Sequence, residues 1–288
     1  MIKQGLRELS PDPRDLKVGA FYTLPALEEL PPSFDLGPSP ITDQIASMEE
    51  DFCASHALCG VRFYQENVPL YPAFSFAAAK KLEGDTESWG CDLRDIARSA
   101  TKLGMVETSL VPPEVLNLSP KDKRDYLKYP PSLRASALFH LAESYWSVRG
   151  QYDAYDDLRV SLWKFRQSKR AVLTGVKWSW PLTDYILDSV GEGYGHALRI
   201  CGFVEDSKEH PEGLIAENSA GQSAGKNGRH IITRKVINEY AEKFGMFTFT
   251  DMPVSTAKYS LDNKITEKDN WVSGLLKAFL RPFRGQIT

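Results

Sequence analysis

Hydrophobic positions recur with a helical period in the first half of the chain and with a shorter, strand-like pattern in the second. In DFCASHALCGVRFYQEN, Phe52, His56, Cys59 and Phe63 return every three or four residues, which predicts a helix with one buried face. Asp51 stands where a carboxylate caps a first turn. PAFSFAAAKKLEG predicts a second helix. DLRDIARSATKLGM predicts a third, with a stripe of Leu93, Ile96, Ala97, Ala100 and Leu103 ended by Gly104. YDDLRVSLWKFRQSK predicts another, with Leu158, Leu162 and Phe165 on one side. ALFHLAESYWSVRG fits helix or strand, because its alanines and leucines favour one and its aromatic cluster the other.

After that the period changes. AVLTGVKW, HALRICGFVED, GLIAEN and HIITRKVINEY are short β-rich runs separated by glycine and charge. Helices first and strands afterwards predict an α+β fold of two packed lobes, a helical N-terminal one and a β-rich C-terminal one. The cleft between such lobes is the expected ligand site.

The flanks differ from this body. Pro11, Pro13, Pro25, Pro31, Pro32, Pro38 and Pro40 forbid a long helix near the N-terminus. Residues 1–30 are therefore an extended arm that wraps the core, and 31–250 form the domain. Residues 251–288 are a polar linker and an amphipathic C-terminal helix, with Trp271, Leu275, Leu276, Phe279 and Leu280 on one face. Such a helix either docks on the domain or meets a protein partner or a membrane surface.

Charge and composition narrow the partners. A net charge of -3 argues against a nucleic-acid binder, which carries a basic excess. The opening MIKQGLRELSPDPRD has no apolar run, and no twenty-residue apolar span occurs, so neither a signal peptide nor a transmembrane segment is expected. Four unevenly spaced cysteines do not make a disulfide scaffold, and a reducing, cytoplasmic location is the simpler expectation. They lack CxxC pairing, and the chain has no HExxH motif, so zinc chemistry is not expected.

The candidate chemistry starts at Cys53. In a first helical turn, aligned amide dipoles and unpaired N–H groups favour the thiolate, the reactive form of cysteine. The bland alternative is a buried structural thiol, which is the reading for Cys59 and Cys201; Cys91 is open between loop and helix start. A thiolate nucleophile needs a base, and the base needs an orienting group. Among the five histidines, His56 is a helical neighbour of Cys53 that points along the same element. His140 lies in a stretch without polar neighbours, and His210 and His230 stand in turn-rich or charged surroundings. His196 opens a strand-like run below the glycines of GEGYGHALRICGFVED, a rigid position facing a groove. Asn218 ends GLIAEN, where its amide can fix an imidazole tautomer.

These stretches, in this order, resemble the papain-like cysteine peptidases. ITDQ followed by DFCASHA resembles the family's oxyanion glutamine and nucleophile helix, which implies those roles for Gln44 and Cys53. GYGHALRICGF resembles the histidine segment, implying His196 as the base, and LIAENSAGQSAGKNG resembles the asparagine segment, implying Asn218. The resemblance covers roughly 31–240 and implies the two-lobed papain-like fold with the site in the cleft. It also has departures. The 45–52 loop is long and lacks the family cysteine. Ala54, Ala220 and Ala224 stand where family members carry tryptophans, so another aromatic such as Trp178 or Trp180 must shield the His–Asn pair, or activity is weaker. No long inhibitory pro-region is evident, so restraint must come from a narrow cleft, the 45–52 loop or a partner of the tail.

The implied reaction is hydrolysis of peptide bonds in a peptide or protein substrate through a covalent acyl-enzyme, with no metal or organic cofactor. Two alternatives share the fold: a thioester-forming acyl transferase, and a non-catalytic structural or binding protein.

Overall fold

The structure is a computed structural model describing residues 5–10, 12–178 and 183–250. The predicted C-terminal helix and Trp180 lie outside the described residues.

The helices of the first half form where the period places them. Helix α1 spans Cys53–Glu66, α2 spans Pro72–Glu83 and α3 spans Leu93–Lys102. Pro72 starts α2 at the position where a missing N–H costs nothing. Asp92 caps α3 by accepting from the N–H of Asp95. Their apolar faces meet in one core, where the Phe52 and Phe76 rings stack 3.9 Å apart and Phe74 packs edge-on against Tyr129. Burial of each such ring is worth about 2–3 kcal/mol. Short helices α4 (Pro113–Leu116) and α5 (Pro131–Ser136) follow, each with proline in its first turn, and α6 covers Ala154–Lys164.

The second lobe is a sheet. Its strands are β1 (Phe34–Asp35), β2 (Ser144–Ser147), β3 (Val172–Trp178), β4 (Ile186–Leu187), β5 (Tyr194–Val204), β6 (Gly213–Glu217), β7 (Arg229–Ile232) and β8 (Met246–Thr250). They run in the order β2-β8-β3-β5-β6-β7-β4, with β1 paired to the far end of β5. Pairing is antiparallel except between β4 and β7. Strand β5 is the central feature: it is buried along most of its length, pairs with β3 and β6, and packs against α1.

Two sequence expectations change here. ALFHLAESYWSVRG is neither one helix nor one strand: a 3-10 turn at Ala137–His140 precedes β2, whose partner β8 lies far along the chain. HIITRKVINEY is not wholly β, because it splits into β7 and helix α7 (Arg234–Phe244), which starts beyond Thr233 and buries Val236, Ile237, Tyr240 and Phe244. The β-branched run Ile231, Ile232 and Thr233 adjoins a helical stripe there without a proline or glycine to mark the border.

Candidate functional site

Cys53 is the first residue of α1 and is wholly buried. Asp51 does not cap the helix, contrary to expectation. A turn closed by the Phe52 N–H on the Glu49 carbonyl carries the Asp51 carboxylate sideways, where it accepts from the Gly90 N–H at 3.1 Å and from Arg124 at 2.9 Å. The N-cap residue is instead Phe52, which offers no side-chain acceptor.

His196 lies on β5 opposite Val176 and is also fully buried. Its Nε2 is 2.7 Å from Oδ1 of Asn218, the residue following β6. The same Oδ1 accepts the Ser219 N–H at 2.7 Å, which orients the amide with its oxygen toward the imidazole. An oxygen can only accept, so Nε2 carries the hydrogen and Nδ1 carries the lone pair. Nδ1 has no hydrogen-bond partner.

Gln44 joins the site through Ser219. Its N–H donates to the Ser219 carbonyl at 2.9 Å, and its Oε1 accepts the Ser219 hydroxyl at 2.6 Å. One N–H of its amide goes to the Glu50 carbonyl at 2.8 Å, which folds the 45–52 loop back on itself and leaves the second N–H. Inside that loop, Glu49 is buried between His56 and Lys123, 2.8 Å from each. Burial pushes the Glu49 carboxyl up, but these two partners outweigh it and its pKa falls below the usual value.

Other histidines are placed differently from expectation. His56 is turned into the loop, with Thr42 at Nδ1 and Glu49 at Nε2. His140 does have polar neighbours, Glu66 and Glu107. His230 is on β7, as the strand-like run HIITRKVINEY predicted, but it is fully buried behind Asn218. The indole of Trp178 stands edge-on to both His196 and His230, with centroids 6.2 and 4.6 Å away.

The arm covers the thiol. Residues 5–9 run as an extended segment between Cys91 and Gly195. Gly5 accepts from the Cys91 N–H at 2.8 Å, and Arg7 donates to the Cys91 carbonyl at 3.1 Å on the helical side. Leu6 donates to the Gly195 carbonyl at 3.1 Å and Leu9 to that of Lys243 at 2.7 Å on the sheet side. Ion pairs of Arg7 with Glu83 and of Asp15 with Arg94 fasten it further. A β-carbon on Gly5 would overlap the Asp51 carbonyl, and one on Gly195 would overlap that of Leu6. Only glycine at both positions lets the backbones approach this closely.

This cover sets the electrostatics. Burial pushes the Cys53 thiol up to about 11, although backbone hydrogen bonds from Ala197, Gly5 and Ala54 oppose it. Burial pushes His196 down to about 4, against the hydrogen bond to Asn218. In the covered state both groups are therefore neutral, and His196 Nδ1 makes no hydrogen bond to the thiol. The sequence offered no sign of the arm's path beyond Gly5, nor of His230 and Ser219 as parts of the site.

Comparison with solved structures places this architecture. Xylellain, a cysteine protease from Xylella fastidiosa, superposes with a TM-score of 0.67 at 17% identity, over 87% of this chain and 96% of that one. The fold is papain-like. Digestive procathepsin L 3 of Tenebrio molitor larval midgut matches at 0.59 with 13% identity, over 86% of this chain and 76% of that one. Bromelain from Ananas comosus, in complex with the E64 inhibitor, matches at 0.52 with 15% identity, over 77% of this chain and 99% of that one. No protein-family model and no curated protein matches the sequence. The papain-like chain thus keeps its architecture at identities too low for sequence comparison to detect. Among the described residues, no helix is long and apolar enough to cross a membrane.

Proposed function

We propose that this chain is a thiol peptidase of restricted specificity whose own N-terminal arm covers the site until it is displaced. The observation that carries the reading is the 2.7 Å bond from His196 Nε2 to Asn218, beside a cysteine at a helix N-terminus in a papain-like cleft. When the arm withdraws, water enters, the penalty on the charged forms falls, and His196 takes the Cys53 proton through Nδ1. The thiolate attacks a peptide carbonyl. The remaining Gln44 N–H and the backbone N–H of Cys53 stabilise the oxyanion. His196 then protonates the leaving amine, and water resolves the thioester. Asn218 holds the imidazole tautomer throughout.

The arm supplies the restraint that the sequence reading assigned to a narrow cleft, the 45–52 loop or a partner of the tail. Its backbone hydrogen bonds to Cys91 and Gly195 use groups that an extended substrate would otherwise engage.

The test uses the full chain carrying Gly5→Val, incubated with a peptide mixture and with an epoxide probe. Adding Cys53→Ala should abolish both cleavage and labelling; undiminished cleavage sinks the proposal. One observation favours a non-catalytic reading, because Cys59 and Cys201 are pushed up to about 12 in the same direction as Cys53. That reading requires Cys53 to label no faster than Cys59 once the arm is displaced. An acyl transferase would instead give amide products when an amine is added.

A further inference from the structure

His230 lies on β7 opposite Ala216, fully buried, with its ring behind the Asn218 amide. Its Nδ1 is 2.6 Å from the backbone carbonyl of Asp184, just ahead of β4. A carbonyl oxygen can only accept, so Nδ1 bears the hydrogen. In a neutral ring Nε2 then has only a lone pair, and it faces Asn218 Nδ2 at 3.5 Å. Burial pushes the His230 pKa down, against its bond to Asp184, which keeps the ring neutral.

The consequence runs along one line of groups. Asp184 carbonyl fixes the His230 tautomer, His230 receives the Asn218 amide nitrogen, and Asn218 Oδ1 receives Nε2–H of His196. A flipped Asn218 amide would set its oxygen against the His230 lone pair and its NH2 against the Ser219 N–H. Ser219 thus holds the oxygen end and His230 the nitrogen end. Trp178 is edge-on to both rings, and His196, Asn218 and His230 are all fully buried.

We propose that His230 is a positioning residue for the proposed peptidase reaction, holding Asn218 so that His196 keeps its hydrogen on Nε2 and its lone pair on Nδ1. The inference rests on His196 being the base, and its test is chosen to read His230 apart from activity. Full-length protein carrying Gly5→Val is compared with the same chain carrying also His230→Phe or His230→Gln. Phenylalanine keeps the ring volume against Trp178 but removes the acceptor. Glutamine supplies an acceptor for Asn218 and a donor for Asp184.

Two readouts are taken: nitrogen NMR of the His196 ring, and peptide hydrolysis resolved into kcat and KM. His230→Phe should bring up the Nδ1–H tautomer of His196 and lower kcat about tenfold, the scale of one lost buried hydrogen bond, with KM nearly unchanged. His230→Gln should return both readouts most of the way. An unchanged His196 tautomer in His230→Phe overturns the proposal. So does a loss that glutamine does not repair, which would mark His230 as packing only. If the parent chain hydrolyses nothing, the peptidase reading fails, and the tautomer measurement still decides the role of His230. If His230→Phe does not fold, the glutamine variant decides alone: a native-like His196 tautomer supports the proposal and an altered one overturns it.

Discussion

The Gly5 carbonyl accepts the N–H of Cys91 over 2.8 Å, and this bond draws Gly5 so close to the thiol's own turn that its Cα has room for no substituent. The arm is thus held over Cys53 by a contact that depends on a missing side chain.

Gly5→Val should therefore displace the arm. Steric overlap of this kind costs about 1–3 kcal/mol, so labelling of Cys53 by iodoacetamide should accelerate about tenfold or more. Mass spectrometry of the labelled chain separates Cys53 from Cys59, Cys91 and Cys201, all of which are free thiols. Equal rates in the parent and the variant would show that the arm does not control access.

In that opened variant, Asn218→Ala should lower kcat by about 10- to 100-fold with little change in KM, because the alanine no longer orients the His196 ring. Steady-state kinetics on one fluorogenic peptide give both constants. A change confined to KM would move Asn218 from the chemistry to substrate binding.

Gln44→Ala tests the oxyanion role across the long 45–52 loop. Loss of one such donor should cut kcat by about 100- to 1,000-fold. The expected contrast is a glutamine whose loss exceeds that of Asn218. A loss of only a few-fold would mean that the bond to Glu50 has taken the amide away from the reacting carbonyl.

The covered state should weaken as pH falls. His196 is held down to about 4 in the fold, below its unfolded value of 6.5, so only the unfolded chain takes up the proton across that interval. Stability is fully present above pH 6.5 and is lost as pH falls toward 4. At pH 5 the loss from this residue is about 2 kcal/mol, and His230 adds to it in the same direction. Urea unfolding at pH 7 and pH 5 measures it; equal midpoints would contradict a buried neutral His196.

Glu49→Leu should destabilise the fold by about 3–5 kcal/mol, because it leaves Lys123 buried without its carboxylate and His56 without its partner. Replacing all three side chains together, as Glu49→Leu, Lys123→Met and His56→Phe, should recover part of that loss. Chemical denaturation of both variants distinguishes a needed pair from a merely tolerated one.

Much of the candidate site was legible because its residues sit at element borders. A cysteine ahead of a helical stripe, a histidine opening a β-rich run and an asparagine closing another can be placed without knowing the fold, and Cys53, His196 and Asn218 all lie at such points. The border between β7 and α7 was not legible, because Thr233 offers no break between a β-branched run and a helical stripe. Asp51 shows the opposite case: local spacing marks it as a cap, but Arg124 and Gly90, distant in sequence, supply stronger partners.

By itself, then, the sequence determined α1, α2, α3 and α6, four of the eight strands (β3, β5, β6 and β7) and the order of the candidate residues, since period and turn chemistry are local properties. Only the tertiary structure decided that Gly5 lies over the thiol, that Trp178 packs edge-on against His196 and His230, and that His230 stands behind Asn218. Those contacts join segments far apart along the chain. Their energies come from burial and close approach between surfaces that no window of sequence contains.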